Sequence, residues 1–438
     1  MRRIASLAPL RGAISDWRAF AASPYRPFRL LAVAQGFIGA LSGPAIVIPL
    51  LLALGAHPAL ATLLAVLPVL GTTVQRAIPR LLDRTDGNLR GLVVLFATLG
   101  EPRGLLLAGA VALAAAGLVP NWVAITLVAV VMGALGSLSA IGYGVLQSWY
   151  QIILPDAERR LIAPRLAGIT LGIGSVVLLP LALSIDGAVA RIGLWAYCVP
   201  LCAGGVAGLV AAIAIRRVPS PGRVRVPRGR AADESEPEDG RLRGLARVLM
   251  LASLAGGLSP FLAVYAIAVL GTGPGFAIAI SAVSSGTLVL TSLLASAHLA
   301  RGSASRLLRG SQLLRGAALL LGLAAYPANP MAWLVLLGVA VLLAAGDTAG
   351  QLAANERLFR LATGPWVIAF QSRFVVRNVA AYAGGLAAGS GVMLLGGYPA
   401  FAILFGAAGA VRFAAALATE VSRPGVDTAT SAIRLPPT

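Results

Sequence analysis

The chain is a succession of apolar runs of about 17 to 25 residues, the length a helix needs to cross the hydrocarbon core of a bilayer. No other feature narrows the choice of fold as much. A helix satisfies its backbone hydrogen bonds internally, so a chain of such runs folds in lipid as a helix bundle. Composition agrees: of 438 residues, 58% are hydrophobic and 12% charged, against roughly a quarter charged in a soluble globular domain. A soluble enzyme, a nucleic-acid-binding module and a disordered chain do not fit that balance.

Hydropathy predicts an all-α polytopic membrane protein with twelve transmembrane helices. The first six are Leu30 to Leu54, Pro58 to Ile78, Gly104 to Val119, Asn121 to Val145, Leu166 to Ile185 and Ile192 to Ile215. The second six are Val248 to Leu270, Gly275 to Ala297, Ser311 to Tyr326, Met331 to Ala353, Asn378 to Leu395 and Ala400 to Ala418. Leu92 to Leu99 is apolar too, but at about eight residues it is too short to cross and reads as an interfacial segment.

The formal charge is +19, and all 35 basic residues are arginine. In a soluble protein that would point to nucleic acid; here the arginines lie between apolar runs and read as topology. They fall in Arg2 to Arg29, Arg76 to Arg103, Arg159 to Arg165, Arg216 to Arg247, Arg301 to Arg315, Arg357 to Arg377, and Arg423 with Arg434. All of these are on one side of a twelve-span arrangement. Only Arg191 falls in a loop on the other side, and Arg412 sits within the last span. Basic residues resist translocation, so the arginine-rich side is predicted to be cytoplasmic, with both termini there, in a prokaryotic inner (plasma) membrane. The opposite loops are tiny: Gly55 to His57, Pro120, Gly271 to Pro274 and Tyr398-Pro399. Met1-Arg2-Arg3 is not followed by an apolar core with a cleavage site, so no cleaved signal peptide is predicted.

The segments then read as a cytoplasmic N-terminal stretch (1–29), a six-helix bundle (30–215), a linker (216–247), a second six-helix bundle (248–419) and a tail (420–438). The linker is rich in Pro, Gly and charge and cannot bury enough apolar surface to fold alone. The two bundles share a pattern. Gly39 to Pro58 reads GALSGPAIVIPLLLALGAHP and Gly256 to Pro274 reads GGLSPFLAVYAIAVLGTGP. In each, Gly-x-Leu-Ser meets a proline (Pro44, Pro260), a Leu-Gly pair closes the run, and a second proline follows (Pro58, Pro274). Glu158-Arg159-Arg160-Leu161 after the fourth span is echoed by Glu356-Arg357-Leu358 after the tenth.

Two parallel six-helix halves joined by a charged linker resemble the major facilitator superfamily. Pro79-Arg80-Leu81-Leu82-Asp83-Arg84-Thr85-Asp86-Gly87-Asn88-Leu89-Arg90 is similar to that family's loop signature after the second span, Gly-x-Leu-Ala-Asp-Arg-x-Gly-Arg-Arg. Proline stands for the first glycine, and the closing basic pair is reduced to Arg90. The fifth span, AGITLGIGSVVLLP, lacks the Gly-Pro pair of the family's antiporter signature. The resemblance implies two halves that rock about a midplane site.

Candidate residues follow. A conformational latch at the arginine-rich side would use Asp83, Arg84 and Arg90, with Glu158, Arg159 and Arg160, and in the second half Glu356 and Arg357. Charges that pair in one access state and separate in the other suit a two-state element. Asp347 is the one acid that hydropathy places well inside a span. An ionisable group at that depth costs about 2.5 to 3.5 kcal/mol on insertion scales and turns toward the protein interior or a water-filled cavity. It is a candidate for binding a cation or proton, with Gln351 one turn away. Gln35, Tyr143, Gln147 and Tyr265 are further substrate candidates or inter-helix hydrogen-bonding groups.

His57 and His298 lie on opposite sides of the bilayer, and there is no phosphate-binding Gly-x-x-x-x-Gly-Lys loop, so no enzyme activity or ATP hydrolysis is predicted. Cys198 and Cys202 support neither a disulfide framework nor a metal site. No cofactor is expected, and the partners expected are the lipid bilayer and a small-molecule substrate, with the chain monomeric. The function expected is secondary active transport by alternating access. Its cargo would be a small neutral, amphipathic or cationic molecule, with proton coupling through Asp347. The alternative is a transporter-like scaffold that binds or delivers a hydrophobic ligand, or assists assembly of a membrane complex, without active transport.

Overall fold

The computed structural model describes residues 26–153, 156–218, 240–258, 260–299, 304–361 and 366–421. Every regular element among them is helical. In chain order the α-helices are α1 (Arg26–Leu41), α2 (Pro44–Ala53), α3 (Pro58–Gly71), α4 (Ile78–Arg84), α5 (Leu89–Gly100), α6 (Arg103–Ala115), α7 (Asn121–Val131), α8 (Ser137–Ile153), α9 (Asp156–Ile192) and α10 (Trp195–Arg216). The second half holds α11 (Gly240–Gly256), α12 (Phe261–Ala268), α13 (Pro274–Leu299), α14 (Ala304–Leu321), α15 (Ala332–Leu361), α16 (Trp366–Met393) and α17 (Gly397–Val421). Among the described residues, nine helical stretches are long and apolar enough to cross a membrane.

The repeated Gly-x-Leu-Ser…Pro pattern is a break at the same place in each half. α1 ends at Leu41 and α2 starts at Pro44. A Cβ at Gly43 would lie 2.1 Å from the Gly39 carbonyl oxygen, so the bend needs glycine there. Proline, with its fixed φ and no N–H to satisfy, suits the first turn that follows. In the second half α11 ends at Gly256 and α12 begins at Phe261, just after Pro260. Each broken helix then closes on a left-handed glycine, Gly55 (φ 86°) or Gly271 (φ 65°), a conformation that costs a residue with a Cβ.

Three expected boundaries are corrected. Leu92 to Leu99 is not an interfacial strip: α5 and α6 together form one 27-residue stretch, Leu89–Ala115, long enough to cross. Glu101 and Arg103 broke the hydropathy run, but they are buried (3% and 9% exposed) and so do not mark a loop. The ninth helix starts at Ala304 rather than Ser311, so Arg306 and Arg309 lie along it. The eleventh starts at Trp366 rather than Asn378, so Arg373 and Arg377 lie along it and not on a separate interfacial helix. The last residues of the expected linker, 240–247, belong to α11, while 219–239 lie outside the described residues.

Packing divides by depth. On the short-loop side one apolar core runs through both halves, joining Val47, Leu51 and Ala65 to Tyr265, Ile278 and Phe401. Among the described residues, two further clusters lie toward the arginine-rich side, one in each half. Phe28, Leu31, Leu82, Trp149 and Ile215 form a cluster within the first half, and Leu245, Val248, Leu308 and Ala353 form another within the second. The halves meet along two seams, α9 on α13, and α16 on α3 and the 3-10 turn Thr72–Ala77. In the first seam Ser175 Oγ donates to the Ala282 carbonyl (2.9 Å), and the Gly275 N–H at the start of α13 donates to Asp186 Oδ1 (2.7 Å).

Glycine sets the closest approach inside the second half. A Cβ at Gly385 on α16 would lie 2.0 Å from the Leu254 carbonyl oxygen, whereas Gly391 faces open space. Backbone cannot yield as a side-chain tip can, so Gly385→Val forces α11 and α16 apart, a loss of about 1 to 3 kcal/mol or more. A clear fall in the melting midpoint of the purified protein is expected, with Gly391→Ala close to the parent.

Candidate functional site

Each half buries an arginine at mid-depth in its third helix. In the first half, Arg103 Nη1 lies 3.7 Å from Glu101 Oε2, and Gln35 Nε2 on α1 donates to Glu101 Oε1 at 2.8 Å. α10 presses against this group, since a Cβ at Gly208 would lie 2.2 Å from the Glu101 carbonyl oxygen and one at Gly104 2.5 Å from the Gly205 nitrogen. The close approach explains how so polar a sequence can sit inside a membrane-length helix: small residues bring the neighbour near enough to exclude lipid.

In the second half Arg315 on α14 forms an ion pair with Asp347 on α15, with side chains 9% and 50% exposed respectively. α15 accommodates the guanidinium through glycine, because a Cβ at Gly346 would lie 2.6 Å from Arg315 Cγ. Arg412 on α17, only 2% exposed, donates from Nη1 to Gln312 Oε1 at 3.0 Å. It feels the charges of both Arg315 and Asp347. Gly256 at the end of α11 packs beside both Arg412 and Tyr382: a Cβ there would be in ordinary contact with Arg412 Nη2 and the Tyr382 ring, each 3.7 Å away. Tyr382 is itself within electrostatic reach of Asp347. The cluster therefore draws on α11, α14, α15, α16 and α17.

The arrangement redistributes the sequence candidates. Gln35 holds α1 to Glu101 and is an inter-helix tie. Tyr265 donates its hydroxyl to the Ala325 carbonyl, and its ring packs 4.5 Å from Phe401 and 5.7 Å from Phe405 between centroids. It belongs to the buried core. Asp347 keeps a half-open carboxylate, and Gln351 one turn on is exposed. Asp83 is half-buried and Arg84 exposed at the end of α4. Arg90 donates to the carbonyl of Arg216, which ties α5 to α10. Glu356 and Arg357 are half-buried near the end of α15. The side chains of Tyr143, Gln147, Glu158, Arg159 and Arg160 lie outside the described residues.

Hydropathy leaves Glu101 and Arg103 outside the spans, yet both are buried within the membrane-length stretch Leu89–Ala115, so Glu101 joins Asp347 as an acid inside such a stretch. A signal was present. Arg103-Gly104 and Arg315-Gly316 each open an apolar run at the same place in the two halves, and an averaged hydropathy window blurs a single charged pair inside a helix. Among the described residues no group of His, Cys, Asp and Glu is placed to hold a metal ion.

No protein-family model and no curated protein matches this sequence. Solved structures do resemble it in fold. The xylose transporter XylE from E. coli, in a partially occluded inward-open conformation, superimposes with a TM-score of 0.65 at 15% identity, over 92% of this chain and 98% of that one. A POT family transporter in complex with 5-aminolevulinic acid gives 0.67 at 14%, over 90% and 96%. A bacterial homologue of the iron transporter ferroportin in its inward-facing state gives 0.64 at 15%, over 91% and 99%. The chain thus has the fold of the major facilitator superfamily transporters, an all-α, multi-pass membrane architecture.

Proposed function

We propose that this protein is a secondary active transporter that carries a small molecule across the prokaryotic inner membrane by alternating access, with both termini in the cytoplasm. The observation that carries the reading is the fold itself, shared over most of the chain with solved transporters, together with the two seams along which its halves meet. Two bundles of six helices, meeting along α9/α13 and along α16 with α3, are the moving bodies.

We take the cargo to be small and amphipathic because glycine and apolar side chains dominate the helices, and the coupling proton to sit on Asp347, whose side chain is 50% exposed. Arg315, Arg412 and Tyr382 surround it from α14, α17 and α16.

The test is accessibility in sealed vesicles. Cysteines are placed singly at Gly39 and Gln351, both exposed, in a background with Cys198 and Cys202 replaced by serine. Alternating access predicts modification by an impermeant thiol reagent from either side. A scaffold that delivers a hydrophobic ligand or assists assembly predicts modification from one side only.

A further inference from the structure

The charges at membrane depth do not balance. Arg103 has Glu101 within 3.7 Å, so the first half is closed. In the second half Asp347 serves Arg315, and among the described residues Arg412 has only the uncharged Gln312. Two guanidiniums face one carboxylate. Each guanidinium carries five N–H donors, and the Nε atoms of both Arg315 and Arg412 are buried without a hydrogen-bond acceptor among the described residues. A surplus cation in a low-dielectric site is costly unless something supplies negative charge and acceptor oxygens. The cluster is rich in donors and short of acceptors by about one anion.

We infer that Arg315 and Arg412 form the seat of a carboxylate on the cargo, and that Asp347 occupies part of this seat while it is empty. The inference rests on the transporter reading above and replaces the neutral or cationic cargo expected from sequence with an anionic one. A planar guanidinium fork matches a carboxylate in shape and charge. A single negative charge cancels the surplus, whereas a dianion would exceed it. Asp347 is suited to yield its place. Its side chain is 50% exposed, so it can turn away from Arg315 without being buried elsewhere, provided that an incoming carboxylate takes its place on the buried guanidinium. Arg412, at 2% exposure, cannot leave. Once displaced, Asp347 stands in water where a coupling proton can reach it.

The test reads binding, so it can fail while transport stands, and transport can fail while it stands. The full-length protein in detergent, at fixed pH and ionic strength, is titrated with benzoate, pyruvate, inorganic phosphate or choline while its melting midpoint is followed. Saturable stabilisation by the carboxylates is expected. Asp347→Asn, which removes the internal competitor, should tighten carboxylate binding about tenfold, a gain that misfolding cannot mimic. Arg412→Gln should abolish it. Weaker or unchanged carboxylate binding in Asp347→Asn would overturn the inference. So would choline binding that Asp347→Asn removes, phosphate binding tighter than either carboxylate, or no carboxylate effect in both proteins.

Discussion

Replacing Glu101 by leucine is expected to destabilise the protein by about 3 to 5 kcal/mol, the usual cost of leaving one member of a buried ion pair without its partner. Glu101 and Arg103 side chains are 4% and 10% exposed, so water cannot take over the role of the lost carboxylate, and Gln35 loses its acceptor as well. Arg103→Leu should cost a similar amount, for it strands the carboxylate. The double change should recover most of the loss, because two apolar side chains in a well-packed site can replace a buried pair at little net cost. Melting midpoints of the four proteins close a double-mutant cycle. Losses that simply add would mean that the 3.7 Å approach contributes nothing, and that the two charges answer to separate neighbours.

Removing the carboxylate at Asp186 is expected to act on conformation more than on stability. Asp186 on α9 accepts from the first turn of α13 in the other half, where the helix N-terminus carries partial positive charge. The fit is close: a Cβ at Gly273 or Gly275 would lie 2.6 or 2.7 Å from a carboxylate oxygen. This contact exists only while the short-loop ends are together. Its loss in Asp186→Ala, at about 1 to 2 kcal/mol, would raise the population open on that side roughly fivefold to thirtyfold. The readout is the rate at which an impermeant maleimide reaches a cysteine at Ala282. That residue is 1% exposed in the shared core and accepts the cross-half bond from Ser175. An unchanged rate would remove Asp186 from the gate.

How much of this was legible in the residues depends on what each feature averages over. The Gly-x-Leu-Ser…Pro repeat was readable, since glycine and proline act locally: Gly43 and Pro44 bend the first helix as Pro260 bends the seventh. The third helix was not readable by hydropathy, because Glu101-Pro102-Arg103 looks like a loop until a glycine-lined neighbour, α10, is brought against it. The same holds for Arg315, whose partner lies on the next helix at Asp347. Asp347 itself stood out because a lone acid in an apolar run has no local explanation. Tyr265 and Gln35 stand out in the sequence for their polarity alone, and each bonds a partner within its own half, Ala325 for Tyr265 and Glu101 for Gln35. Cross-half contacts such as Asp186 with Gly275 leave no trace in periodicity, since they depend on how two bundles meet.

The most direct test of the two-body account is a pair of distances between spin labels across the halves. One pair joins Arg84 to Arg306 on the arginine-rich side, and the other joins Ile192 to Thr272 on the short-loop side; Arg84, Arg306 and Ile192 are exposed. Alternating access predicts two populations for each pair, with Asp186→Ala shortening the first distance as it lengthens the second. A single distance for each pair, unmoved by that substitution, would contradict it.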